Sequence, residues 1–207
     1  MRTIIATVAL VIIGIVLGGL GFIYSGVYNV GATDRHWALT YRVLEIARNR
    51  SIKAHAAGIA VPANLDDPTK IVIGVEHFAD HCAVCHGAPG VPQGDIAKGM
   101  YPQPPDLTDT AKRYAPAELF WIVKNGIKMT GMPSWSQHSD DEVWGTVAFL
   151  KKLPGMSVAE YAKLVMQAMQ HGGQHHPGGA DKGADHRPES GPAQQHDHGP
   201  QTAPASK

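Results

Sequence analysis

Apolar and polar positions change rhythm several times along the chain, and each change predicts an element. Residues Ile4 to Tyr24 run almost without interruption through Ile, Val, Leu, Ala and Gly and carry no charged side chain. At about 1.5 Å per residue, a helix of that length covers roughly 31 Å, the thickness of a bilayer's hydrocarbon core. From Asp34 to Ala57 the pattern becomes amphipathic. Trp37, Tyr41, Leu44 and Ala47 fall on one helical stripe, while Arg42, Glu45, Arg48 and Asn49 face elsewhere. Asp34 is the expected N-cap and Gly58 the expected stop. Val61 to Pro68 is rich in turn residues and marks a boundary. Asp67 can cap and Pro68 suits a first helical position, so a helix should run from Pro68 into the segment bearing the cysteines.

Further on, Pro102-Gln103-Pro104-Pro105 can only be a loop. Ala117 to Lys124 reads as a short helix between Pro116 and Gly126. Ser139-Asp140-Asp141-Glu142 is a capping box that opens a helix to about Leu153, and Ser157-Val158-Ala159-Glu160 repeats the device for a helix to about Gln170. Strand alternation and internal repeats are missing from the pattern. From His171 to Lys207 there is no aromatic or large aliphatic residue, so that segment has nothing to bury and is expected to be disordered. The chain thus divides into an apolar anchor (1–25), a juxtamembrane helix and linker (26–67), a helical domain (68–155), a C-terminal helix (156–170) and a tail (171–207).

Composition narrows the function. Eighteen Lys and Arg balance eighteen Asp and Glu, which argues against a nucleic-acid partner. The N-terminal run exceeds the roughly 7–15 apolar residues of a signal peptide, and Tyr24-Ser25-Gly26-Val27-Tyr28 offers no Ala-x-Ala site. An uncleaved anchor is the expectation, with cleavage the alternative. Arg2 and the terminal amine place the N-terminus inside and the remainder outside. The juxtamembrane helix has two readings. It packs on the helical domain or lies near the bilayer surface, or it docks a membrane partner.

Cys82 and Cys85 are the chain's two cysteines, and His86 follows at once. Such a Cys-x-x-Cys-His sequence attaches a c-type haem. Two thiols three residues apart on a helix end can form thioethers with both vinyl groups, and the histidine can then reach the iron. Zinc would want four ligands and a second pair, and a redox dithiol would want a βαβ setting; neither is present.

With these features, residues 68–153 resemble a class I cytochrome c domain. Gly74 and Phe78 match the Gly-x-x-x-aromatic spacing of that family's first helix, where the glycine lets the last helix cross closely; Trp144 and Phe149 would be the facing aromatics. Pro104-Pro105-Asp106-Leu107 resembles the family's Pro-Asn-Leu segment. The resemblance implies that the Pro105 carbonyl takes the second ring nitrogen of His86, with Pro89, Pro92 and Pro104 competing. Asn125 to Trp135 looks like the distal-ligand segment of bacterial monohaem cytochromes, with Met132 of Gly131-Met132-Pro133 at the ligand position and Trp135 closing the segment. The family also implies attachment of haem outside the bacterial cytoplasm.

The expected fold is all-α: a class I cytochrome c-like haem domain preceded by a transmembrane and a juxtamembrane helix and followed by a His/Gly/Pro-rich tail. The expected metal ligands are His86 and Met132. Haem-binding residues are Cys82, Cys85, His86, Met132, Pro105 and Trp135, and no catalytic residue is expected. Met129 is the runner-up as sixth ligand. Met100 and His138 are lesser alternatives, while Met1, Met156, Met166 and Met169 suit core or surface roles. His77 and His81 read as surface or partly packed side chains. His171, His175, His176, His186, His196 and His198 gather in the tail, either as a solvated linker or as a binder of Cu(II), Ni(II) or Zn(II). The function expected is single-electron transfer by one covalent haem c. The protein would be held by a single-pass anchor at the bacterial inner membrane with its haem domain in the periplasm, exchanging electrons with a dehydrogenase, oxidase or reductase complex. It would act as a free carrier or as a monohaem subunit. A haem enzyme or gas-binding protein with a labile sixth ligand is the alternative.

Overall fold

The computed structural model describes residues 1–175, with side chains described as far as Gln170. The tail histidines therefore lie outside the described side chains. In order, the helices are α1 (Arg2–Tyr24), α2 (Ala38–Ala56), α3 (Pro68–His77), α4 (Ala83–His86), α5 (Asp95–Lys98), α6 (Leu107–Thr110), α7 (Pro116–Asn125), α8 (Asp140–Lys152) and α9 (Val158–His175). A π-helical turn, Phe78–Cys82, joins α3 to α4. No strand occurs among the described residues; the nearest approach to one is an isolated bridge between Ala88 and Val91.

Local chemistry explains most of the helix starts. Asp67 accepts from the Thr69 N–H at 2.8 Å, with Pro68 in the first turn of α3. Ser139 and Glu142 close their box at the head of α8, and Ser157 with Glu160 does the same for α9. Glu118 accepts from the Ala115 N–H at the start of α7. One expected cap is misplaced. Asp34 does not open α2; its carboxylate takes the Arg35 N–H and the Asn29 amide, and the helix starts four residues later, after Trp37. The Tyr28 hydroxyl bonds His36 Nδ1 at 2.9 Å, and the His36 N–H donates to the Tyr101 hydroxyl at 3.1 Å, which holds residues 28–37 in a non-helical bend.

The core is built on the crossing of α3 and α8. Gly74 lies so close to α8 that a Cβ there would overlap the Gly145 carbonyl and sit 3.0 Å from the Phe149 Cβ. Phe149 then packs on Phe78 with ring centroids 4.9 Å apart. Trp144, expected to face this crossing, instead stacks on Phe120 of α7 at 4.3 Å. It is the glycine after it that makes the close contact. Helix α9 completes the same core through buried Tyr161 and Ala168 and continues to His175, past the expected end at Gln170.

Helix α2 packs on α7 through a face other than the Trp37, Tyr41 and Leu44 stripe. Ile52 and Ala56 are buried, with Arg48 and Asn49 half-buried beside them, while Trp37, Tyr41 and Leu44 stay exposed. His55 and Trp121 meet with ring centroids 5.3 Å apart. Helix α1 buries none of its side chains.

Candidate haem site

Short-range geometry assembles one half of the site. The π-turn and α4 carry Cys82, Cys85 and His86 on one continuous helical segment leading out of the core. Both thiols are unpaired and half-buried. Burial, with Cys85 close by, pushes the Cys82 thiol up to about 12, so its sulfur is a neutral S–H at neutral pH.

His86 Nδ1 lies 2.8 Å from the Pro105 carbonyl oxygen. A carbonyl can only accept, so Nδ1 carries the proton and Nε2 keeps its lone pair. Burial lowers the His86 pKa, opposed in part by this hydrogen bond and by Asp106. The ring is therefore held neutral and pre-oriented. Its partner is itself fixed: Gln93 Nε2 donates to the Pro104 carbonyl at 2.8 Å, Gln103 donates to Gln93 Oε1, and Asp106 caps α6 directly after Pro105. Gln93 carries no motif, so nothing in the sequence marks it. A cavity of ≈ 630 Å³ opens here, lined by His86, Val91, Gln93, Pro104, Pro105 and Thr108 among others.

The other expected half sits apart. Met132 and Trp135 do not line that cavity. They belong to the loop between α7 and α8, which is tied at its base: the Ile127 N–H donates to the Met132 carbonyl at 3.3 Å and the Met132 N–H to Thr130 Oγ1 at 3.2 Å. Gly126 adopts φ +66 at this tie, where a Cβ would press on the Pro133 and Met132 carbonyls. Met132 is half-buried. Met129 is 85% exposed with φ 61, turned out to solvent. Met100, a minor alternative from sequence, places its side chain against Gly131 in this loop.

Trp135 lies within a histidine cluster that the sequence does not reveal as one. His77 packs edge-on to His138 at 4.6 Å, to His81 at 4.8 Å and to Trp135 at 5.2 Å between ring centroids. His77 is buried and its Nε2 has no hydrogen-bond partner among the described residues. Burial, then the neighbouring His138 and His81, lower its pKa to about 4. The unfolded chain therefore binds the extra proton between about pH 6.5 and 4, and stability falls as pH drops through that window. The loss approaches about 3 kcal/mol below pH 4. Denaturant unfolding followed by circular dichroism at pH 7, 5.5 and 4 should show this slope, and His77→Leu should flatten it. An unchanged slope would mean that His77 is not the group being titrated.

An all-helical domain with a Cys-x-x-Cys-His segment on a helix and a carbonyl-oriented histidine beside an open cavity has the build of a c-type cytochrome. Residues 70–150 match the family described as Cytochrome C oxidase, cbb3-type, subunit III. The domain is a haem-binding electron-transfer cytochrome, and its cofactor is covalently bound c-type haem. The residues present fit that group: two free thiols at thioether spacing, a neutral imidazole with a free Nε2, and an open cavity beside it. The family match ends before α9, whereas the core includes it.

Proposed function

We propose that the chain is a membrane-held monohaem electron carrier, or the monohaem subunit of a respiratory oxidoreductase complex, in which His86 and Met132 would ligate the iron. Bound haem supplies a one-electron Fe(III)/Fe(II) couple. Cys82 and Cys85 would tether it, and His86 through Nε2 and Met132 through its thioether would ligate the iron. The observation that carries this reading is the His86 Nδ1 to Pro105 hydrogen bond, which leaves one defined nitrogen for the metal. Trp135 would bind the haem and hold the ligand loop in place through its histidine contacts.

Residues 1–25 would anchor the protein in the bacterial inner membrane, with residues 68–155 and the helix from 156 in the periplasm. The apolar helix is long enough to span, at mean hydropathy 2.7 over its most apolar window. Partners would be redox proteins in or at that membrane, and the family match favours an oxidase complex. The decisive experiment is a spectroelectrochemical titration of the detergent-solubilised protein, followed by carbon monoxide addition to the ferrous form. A single one-electron transition with little carbon monoxide binding is expected. Ready binding of carbon monoxide would overturn the carrier reading in favour of a labile sixth site.

A further inference from the structure

The first half of α2 carries apolar side chains on two opposite faces, with Thr40, Arg42 and Glu45 between them, and the protein leaves both faces bare. Leu39, Val43 and Ile46, at successive helical turns, are 76%, 55% and 60% exposed, and Trp37, Tyr41 and Leu44 are exposed on the other side. So many large apolar side chains on one short stretch are normally covered by something other than water. The second half behaves differently, burying Ile52 and Ala56 against α7. On the outward face the apolar side chains give way to Arg50 and Lys53, with Arg42 alongside.

Contacts with the anchor show what lies next to the bare half. Trp37 packs on Phe22, in the last turn of α1, with ring centroids 5.8 Å apart, and on Tyr28 at 5.1 Å. Phe22 and Tyr28 also touch. The start of α2 therefore sits where the apolar anchor ends. Aromatic side chains at that level, followed by basic ones, match the chemistry of a membrane–water interface with anionic headgroups. A second chain at the same face would not require the switch from apolar to basic along one helix.

We propose that Trp37 and the first half of α2, to Ile46, lie in the bilayer interface beside the anchor, with Arg42, Arg50 and Lys53 reaching anionic headgroups. Helix α2 then works as a strut. Its first half is seated in lipid and its second half is locked onto the haem domain. The Tyr28–His36–Tyr101 hydrogen bonds close a further link between the anchor's exit and the loop just before the Pro104-Pro105 turn. The haem domain is thus held at one orientation to the membrane instead of swinging on a tether, so it exchanges electrons through a fixed face. The inference rests on the anchoring proposed above.

Spin labelling tests both separately. In the full-length haem protein Cys82 and Cys85 are consumed by thioethers, so an introduced cysteine is the only free thiol. Labels at Ile13→Cys, Val43→Cys and Lys98→Cys are read by collision with oxygen and with an aqueous nickel chelate, in nanodiscs containing phosphatidylglycerol. Position 13 should favour oxygen, position 98 the chelate. Position 43 should show chelate access several-fold below position 98 with oxygen access raised. Chelate access at position 43 equal to that at position 98 overturns the strut, as does protection from both probes, which would mean protein cover. If position 13 is also open to the chelate, the anchoring itself fails. Exchanging phosphatidylglycerol for a neutral lipid should by itself raise chelate access at position 43, and unchanged access would overturn the role given to Arg42, Arg50 and Lys53.

Discussion

Gly74→Ala should prevent the haem domain from reaching its native packing. The added methyl would overlap the Gly145 carbonyl oxygen and carbon, and these are backbone atoms that cannot rotate away. Relief requires α3 and α8 to separate, which pulls Phe78 off Phe149 and opens the centre of the core. Overpacking commonly costs about 1–3 kcal/mol. Here the obstacle is backbone and the displaced element is a whole helix, so the cost should sit at or above the top of that range. For a domain of this size about 3 kcal/mol corresponds to a fall in Tm of roughly 15 °C. Gly145→Ala should cost less, since its Cβ would stand 3.1 Å from the Lys70 carbonyl and 3.4 Å from the Gly74 nitrogen. Gly99→Ala, whose nearest neighbours lie at 3.6 Å and beyond, is the matched control and should leave Tm unchanged. Thermal unfolding followed by helical circular dichroism, with the yield of attached haem, ranks the three. A Gly74→Ala protein as stable as the control would mean that the helices cross less closely than described.

This crossing also shows how far sequence reasoning reaches. Gly74 and Phe78 are readable because they lie four residues apart on one helix, but Gly145 is their partner from 71 positions away, and no local signal selects it over Trp144 beside it. The same division holds elsewhere. Capping boxes at Ser139 and Ser157, and the Asp67-Pro68 start, are local hydrogen-bond chemistry and fall where the residues say. Asp34 has the right chemistry for a cap but spends it on Asn29 and Arg35, because the distant Tyr101 holds the chain open at His36. The stripe of Trp37, Tyr41 and Leu44 is legible as apolar, but the sequence leaves open whether protein or the bilayer surface covers it, and the structure leaves it exposed. Periodicity reports that a face avoids water, and lipid satisfies it as well as a core does. In the site, the Cys82-to-His86 motif and the Pro105 partner are legible. Gln93, Met100 and the meeting of His77 with His138 depend on loops folding back on one another.

Met132→Ala is the substitution that should alter the redox chemistry most. Three methionines compete for the sixth position, and their surroundings rank them. Met129 is displayed to solvent from a left-handed backbone position, so Met129→Ala should leave the spectrum unchanged. Met132 is half-buried in a loop closed by the Ile127, Thr130 and Gly126 contacts, which presents one thioether in a fixed place. A thioether ligand raises the potential of a haem iron relative to a harder donor or water. Its loss should lower the midpoint potential by a sizeable share of the roughly 0.8 V over which axial ligands tune haem. It should also abolish the weak long-wavelength charge-transfer band of thioether-ligated ferric iron and let carbon monoxide bind. Met100 packs against Gly131 in the same loop, so Met100→Ala should keep the band and loosen the loop that bears Met132. The reverse pattern, with the band kept in Met132→Ala and lost in Met100→Ala, would reassign the ligand to Met100. The half-site at His86 and Pro105 would stand, since its hydrogen bond depends on neither methionine.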